Sequence, residues 1–86
     1  MATLHFMDTK QMQRRLGKII QARRSRLGYS QESFADAIGL HRTYVGSVER
    51  GERNVTLKNL LVIAEGLKMP LSTLIAAAEA ELLISG

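Results

Sequence analysis

This 86-residue chain predicts an all-α fold of five short-looped helices. Three observations carry that prediction. Apolar residues recur at helical spacing along nearly the whole chain. The periodic segments are punctuated by Gly28, Gly39 and Gly51 and reopened by good N-cap residues, Ser30 and Thr56. No alternating apolar run is framed by hairpin turns, so strand signals are weak. The length bounds the answer to one domain, 1–86, with one modest core.

Helix 1 is expected from Asp8 or Thr9 to Leu27, with Leu16, Ile19, Ile20 and Leu27 on one face and Gly28 ending it. Gly17 inside it costs about 1 kcal/mol relative to alanine, which close packing would explain. Leu4 and Phe6 are candidates to fold back onto the core. Helix 2 opens at Ser30, with Glu32 in the first turn where the helix dipole favours an anion, and buries Phe34, Ala35 and Ile38 before Gly39 breaks it. Helix 3 covers roughly 41–50, with Val45 and Val48 inward and Gly51 terminating it. Helix 4 runs from Thr56 to about Leu67, its apolar set being Leu57, Leu60, Leu61, Ile63, Ala64 and Leu67. Lys68 stands where a terminal glycine would be natural, so a left-handed residue is expected there. Helix 5 starts near Pro70, which suits a first helical turn, and runs to about Ile84.

The chain is 45% apolar, which reads as globular, and has no cysteine to form a disulfide or a thiolate metal site. No apolar run approaches the roughly 18 residues of a membrane span. The opening "MATLHFMDTK" lacks the charged start and apolar core of a secretory signal. Together these predict a cytoplasmic protein with no membrane partner. The net charge of +4 is uneven: residues 1–54 hold ten Lys/Arg against five Asp/Glu, and residues 55–86 hold two against three. A basic front half suits a polyanion, although a solvated surface with a basic bias has the same composition.

Helices 2 and 3 are the informative pair. Ala35 lets them approach, Gly39 permits a positive φ at the corner, and Val45 and Val48 pin helix 3 to the body. This is helix-turn-helix geometry, in which the second helix projects into a DNA major groove. With the valines inward, about 100° per residue turns Thr43, Gly46, Ser47 and Arg50 outward. Arg42 sits at the exposed N-terminal end, which meets base edges in this docking mode. Arginine matches the O6 and N7 acceptors of guanine, threonine can bond a base or touch a thymine methyl, and Gly46 allows close approach. The expected base contacts are therefore Arg42, Thr43, Gly46, Ser47 and Arg50. The expected phosphate contacts are Gln31, His41, Tyr44, Arg53, Asn54 and Lys58. His41 is alternatively a helix cap, Tyr44 partly core, and Arg50 a cap of helix 3. Two histidines without cysteine or clustered carboxylates make a metal site improbable, and no cofactor or small-molecule ligand is evident. The run Arg23-Arg24-Ser25-Arg26 is either a phosphate patch or a solvated face with Arg24 turned inward.

The stretch "SQESFADAIGLHRTYVGSVERGERNVTLKNLLVIAEGL" resembles the Cro/C1-type helix-turn-helix family of phage repressors and related bacterial regulators. Gln31, Ala35, Gly39, Val45, Val48, Glu49, Gly51, Leu57 and Leu60 carry the resemblance, which covers roughly residues 14–76. Arg42-Thr43-Tyr44 with Glu49-Arg50-Gly51 and Arg53-Asn54 is similar to the small controller proteins of restriction–modification systems. The resemblance implies a compact five-helix bundle of the lambda-repressor-like type, a homodimer, and a near-palindromic operator. It places Gln31 on phosphate, Arg42 and Thr43 on bases, and Tyr44, Arg53 and Asn54 at the backbone or groove edge. It also implies a structural ion pair between Arg24 and Glu49. Gly66, where alanine is usual, and Lys68, where glycine is usual, depart from the pattern.

Helix 5 is apolar nearly all round. Leu71, Leu74, Ile75, Ala78 and Leu82 make one inward stripe, and Leu83, Ile84 and three alanines leave the other side apolar too. An 86-residue monomer has little left to bury it with. Residues 70–84 are therefore read as a dimerisation helix, with Leu74, Ile75, Ala78, Leu82 and Leu83 at the interface and partial burial in the monomer as the alternative. Two-fold pairing would set the recognition helices about 34 Å apart, one DNA turn.

The leading function is a dimeric, sequence-specific transcriptional regulator on double-stranded DNA. It would act by covering a promoter or by contacting RNA polymerase from an adjacent site. The alternative is an antitoxin that binds a toxin protein and autoregulates its operon, a reading disfavoured by the lack of an extra tail. No Ser/His/Asp set, metal cluster, phosphate-cradling glycine loop or paired carboxylate cleft suggests an enzyme.

Overall fold

The computed structural model describes residues 8–85, and side chains for residues 8–80. Its elements are five α-helices: α1 Thr9–Arg26, α2 Gln31–Ile38, α3 Arg42–Glu49, α4 Leu57–Gly66 and α5 Leu71–Ser85. Their starts follow local chemistry. The Asp8 carboxylate accepts from the Gln11 N–H at 2.7 Å, and the Gln11 side chain accepts from the Asp8 N–H at 3.4 Å. Ser30 and Ser33 exchange the same pair of bonds at 3.0 and 2.9 Å. Thr56 Oγ1 accepts from the Asn59 N–H at 3.2 Å. Each bond satisfies an N–H that a helix start leaves without an intrahelical partner.

The first four helices are each followed within two residues by a left-handed residue: Gly28, Gly39, Gly51 and Lys68. Lys68 has φ 58°, so the left-handed residue expected there is present, and a Cβ-bearing residue carries the strain of that conformation.

α1 packs along α5 and across α3, α2 packs on α3 and α4, and α4 packs on α5. The core is Leu16 and Ile20 of α1, Phe34 and Ala35 of α2, Val45 and Val48 of α3, Ile63 and Ala64 of α4, Leu67 after it, and Leu74 and Ala78 of α5. Gly17 is a packing residue. A Cβ on it would meet the Glu49 carbonyl oxygen and lie 2.6 Å from that of Val48, so the end of α3 rests directly on the α1 backbone. Gly66 has an equivalent reason to depart from alanine, because a Cβ there would collide with Ile38 and lie 3.1 Å from Phe34.

One expectation about an apolar face needs correction. Leu74 and Ala78, read as dimer-interface residues, are fully buried within the protomer. They lie where α5 closes over the core, so they are unavailable to a partner. Ile75 is half-buried and lines an apolar cleft with Met12, Leu16, Val55 and Leu60. Conversely, Leu57 and Leu61 of α4 are 65% and 53% exposed. The apolar girth of α4 is wider than the contacts available from α2 and α5. The expectations for Leu4, Phe6, and the side chains of Leu82, Leu83 and Ile84 lie outside the described residues. Among the described residues no single helix is long and apolar enough to cross a membrane.

Candidate nucleic-acid interface

α2 and α3 meet at Gly39, whose φ of 73° turns the chain, and the Leu40 N–H returns to the Ala35 carbonyl at 3.0 Å. His41 caps α3: its Nδ1 accepts the Thr43 N–H at 3.2 Å, and the Thr43 hydroxyl lies 2.7 Å from the same nitrogen. With Nδ1 accepting, the neutral ring donates through Nε2. His41, Arg42 and Thr43 are all exposed. Gln31, Arg42, Thr43, Gly46 and Arg50 together line one shallow concavity along the outer side of α3. Gln31, the first residue of α2, forms its rim on that side.

Below this face lies a buried polar network. The Arg24 Nε and Nη2 donate to the two Glu49 oxygens at 2.6 and 3.0 Å, and Nη1 donates to the Tyr29 carbonyl at 2.7 Å. The side chains of Arg24 and Glu49 are only 9% and 2% exposed. Hydrogen bonding to Glu49 raises the Arg24 pKa above its ordinary value, against the opposing effect of burial. Gln31 joins the network: its Nε2 donates to Glu49 Oε1 at 2.9 Å. The amide expected on phosphate thus spends one donor on the buried carboxylate. Its Oε1 lies 3.5 Å from where a Cβ on Gly46 would be, so it reaches over the α3 face.

Ser47, expected to touch a base, is buried at 6% exposure. Its hydroxyl donates to the Tyr44 carbonyl at 2.7 Å and accepts from Arg53 Nε at 3.0 Å. The helical wheel misplaced it because α3 is only eight residues long and is covered on more than one side. α1 lies under its last turn and Arg53 folds over it, so residues 45–49 are all buried. Gly46 is also buried, beneath the ends of Gln31 and Arg50, and contributes backbone to the floor of the face.

The flanks are set by Tyr44 and the loop after α3. Tyr44 is half-buried, packs against the core, and accepts a hydrogen bond from Asn59 Nδ2 at 3.1 Å. The Arg53 guanidinium stands 5.5 Å from its ring centroid. Asn54 and Lys58 are exposed. Arg50 occupies the C-cap position of α3 through its backbone, while its exposed side chain pairs with Glu52. Sequence reasoning missed Asn59, Glu52 and the Gln31–Glu49 bond. Each depends on a fold-generated contact or a rotamer, for which the sequence carries no periodic signal. Among the described residues no group of three His, Cys, Asp or Glu is placed to hold a metal ion.

Residues 19–74 match the helix-turn-helix family model. The chain belongs to the helix-turn-helix family. This helix-turn-helix protein is 47% identical over 66 residues to the control protein C.SmaI of Serratia marcescens, spanning 77% of its own length and 75% of that relative. The restriction–modification controller protein C.AhdI from Aeromonas hydrophila superposes with a TM-score of 0.69 at 42% identity, over 72% of this chain and 94% of that one. The controller protein C.Esp1396I, solved as a tetramer in complex with its natural 35 base-pair operator, superposes with a TM-score of 0.75 at 30% identity, over 84% and 95% of the two chains. All three relatives are control or controller proteins, and C.Esp1396I is seen bound to operator DNA.

Proposed function

We propose that this protein is a transcriptional regulator of the restriction–modification controller kind, binding a near-palindromic operator as a homodimer with α3 in the major groove. One observation carries the reading: Arg42, Thr43 and Arg50 line the same exposed concavity, on a helix whose inner side is locked to the core. Arg42 and Thr43 stand at the N-terminal end of α3, where base edges are read. The Thr43 hydroxyl turns from His41 to reach a base. The N–H groups that open α2, the His41 Nε2–H, Arg53, Asn54 and Lys58 are the groups suited to phosphates on either side of the groove. Tyr44 and Arg53 brace one another at the edge. The operator-bound tetramer of C.Esp1396I supports both the ligand and the assembly.

The second copy docks on an apolar surface that includes Leu57 and Leu61. They are the large hydrophobic residues left exposed on the described surface. A DNA-bound regulator of this kind works in the cytoplasm, where the promoter is, and occupancy either blocks RNA polymerase or recruits it.

Selection of bound duplexes from a random pool tests the reading, with Arg42→Ala and Thr43→Ala alongside the parent protein. A symmetric enriched site whose preference relaxes at particular bases in each variant is the expected result. Salt-sensitive binding with no enriched site, retained by both variants, would overturn it.

A further inference from the structure

Arg50 and Glu52 form an exposed ion pair at the end of α3. Arg50 Nε lies 3.1 Å from Glu52 Oε2, and Nη2 lies 3.2 Å from Oε1. The side chains are 61% and 56% exposed. A pair this wet contributes little to stability. Its geometry is more informative than its energy. A guanidinium has two edges that can bond bidentately, Nε with Nη2 and Nη1 with Nη2. Glu52 occupies the first. The second remains, and Nη1 lies 3.2 Å from where a Cβ on Gly46 would stand. The open fork of Arg50 is therefore laid across Gly46, in the concavity that Gln31, Arg42 and Thr43 also line.

The geometry points to Glu52 as a specificity-determining residue: it holds Arg50 with its Nη1/Nη2 fork turned to a guanine and itself accepts an amino hydrogen from an adjoining cytosine or adenine. This rests on the proposed reading of α3 as the groove-facing helix. The chemistry is complementary on both counts. The free fork matches guanine O6 and N7, and a carboxylate matches the N4 amino group of cytosine or the N6 amino group of adenine. Pre-orienting the fork removes part of the rotamer cost an unbraced arginine carries. Inside the groove, where water is displaced, the pair is screened less than in the free protein. A carboxylate beside the phosphate backbone also penalises docking on any duplex that lacks a donor for it. Glu52 thus weakens non-specific binding while it sharpens specific binding. The hydrogen bond with Arg50 holds the Glu52 carboxyl below its ordinary range, so it stays ionised for both roles.

The test is random-duplex selection followed by titration of the enriched duplex and a scrambled one, with the parent, Arg42→Ala, Arg50→Ala, Glu52→Ala and Glu52→Gln. Thermal melting runs alongside. Arg50→Ala is expected to lose a guanine preference at one position of each half-site. Glu52→Ala is expected to relax that same guanine and the adjoining pair, each by about tenfold, within the discrimination that a good bidentate base contact supplies. Scrambled-duplex binding should strengthen in Glu52→Ala, with the melting temperature unchanged. Glu52→Gln retains an acceptor without the charge and should keep part of the preference. A Glu52→Ala profile identical to the parent's, while Arg50→Ala relaxes a base, would overturn the role of Glu52. No change in either variant, while Arg42→Ala still relaxes a base, would overturn it and leave the proposed function standing. No enriched site with the parent protein would overturn both.

Discussion

Glu49→Ala is the perturbation with the largest consequence. The Glu49 carboxylate accepts three hydrogen bonds, at 2.6 and 3.0 Å from Arg24 and 2.9 Å from Gln31. Truncation leaves a nearly buried guanidinium with the Tyr29 carbonyl as its remaining described partner. Breaking a buried pair by removing one member costs about 3–5 kcal/mol. A domain of this length has a total stability of roughly 4–13 kcal/mol, so about a quarter of it or more is at stake. At about 4–8 °C per kcal/mol for a domain this small, the midpoint should fall by more than about 12 °C. Far-UV circular dichroism through a thermal ramp, repeated in urea, measures the loss. The double variant Arg24→Met with Glu49→Leu removes both charges and should regain most of it, since apolar replacements of similar volume are often neutral. A Glu49→Ala midpoint close to the parent's, or a double variant no more stable than the single, would refute the reasoning.

Four further outcomes follow from single features. Gly17→Ala should lower the melting temperature by an amount equivalent to about 1–3 kcal/mol, although helix propensity alone favours alanine by about 1 kcal/mol. The added Cβ meets backbone carbonyls of Val48 and Glu49, and a raised midpoint would show that α3 is not seated there. Lys68→Gly should raise the midpoint by a few degrees, because it relieves a left-handed lysine at a cost of about 1 kcal/mol; a lowered midpoint would contradict this. Leu57→Lys with Leu61→Lys should yield monomers in sedimentation velocity without loss of helicity, and a retained dimer would exclude α4 from the interface. Lys58→Ala should weaken binding evenly across sequences and shallow the slope of log affinity against log salt by about one per protomer. A change in base preference instead would mean that Lys58 reads sequence.

What could be read in advance was local. Helix starts at Asp8, Ser30 and Thr56 and the left-handed corners at Gly39 and Lys68 depend on a few neighbouring residues. Capping bonds and φ preferences are short-range, so they survive any tertiary context. The ordered pattern across α2 and α3 likewise carried the family, because the turn between them needs alanine and glycine at set positions.

Tertiary structure decided which faces are free. By helical spacing alone Ser47 points outward, and Leu74 and Ala78 lie on an inward stripe that the apolar girth of the helix also offers to a partner, yet all three are buried within the protomer. Leu57 and Leu61 fit an apolar stripe equally well and are exposed. A helix's sequence specifies its own periodicity but not how many neighbours cover it, and α3 is enclosed by α1, α2 and the loop through Arg53. The same is true of the polar contacts. Gln31 to Glu49 spans 18 residues and Arg24 to Glu49 spans 25, so both come from the packing of α1, α2 and α3 against one another. Arg50 and Glu52 are near neighbours in sequence, but only the fold lays their pairing beside Gly46 on the polar face. The chain by itself therefore determined five helices, the first four of them capped, and a helix-turn-helix corner, whose causes are short-range. Burial and partner choice were left to packing, because they depend on the summed geometry of all five helices.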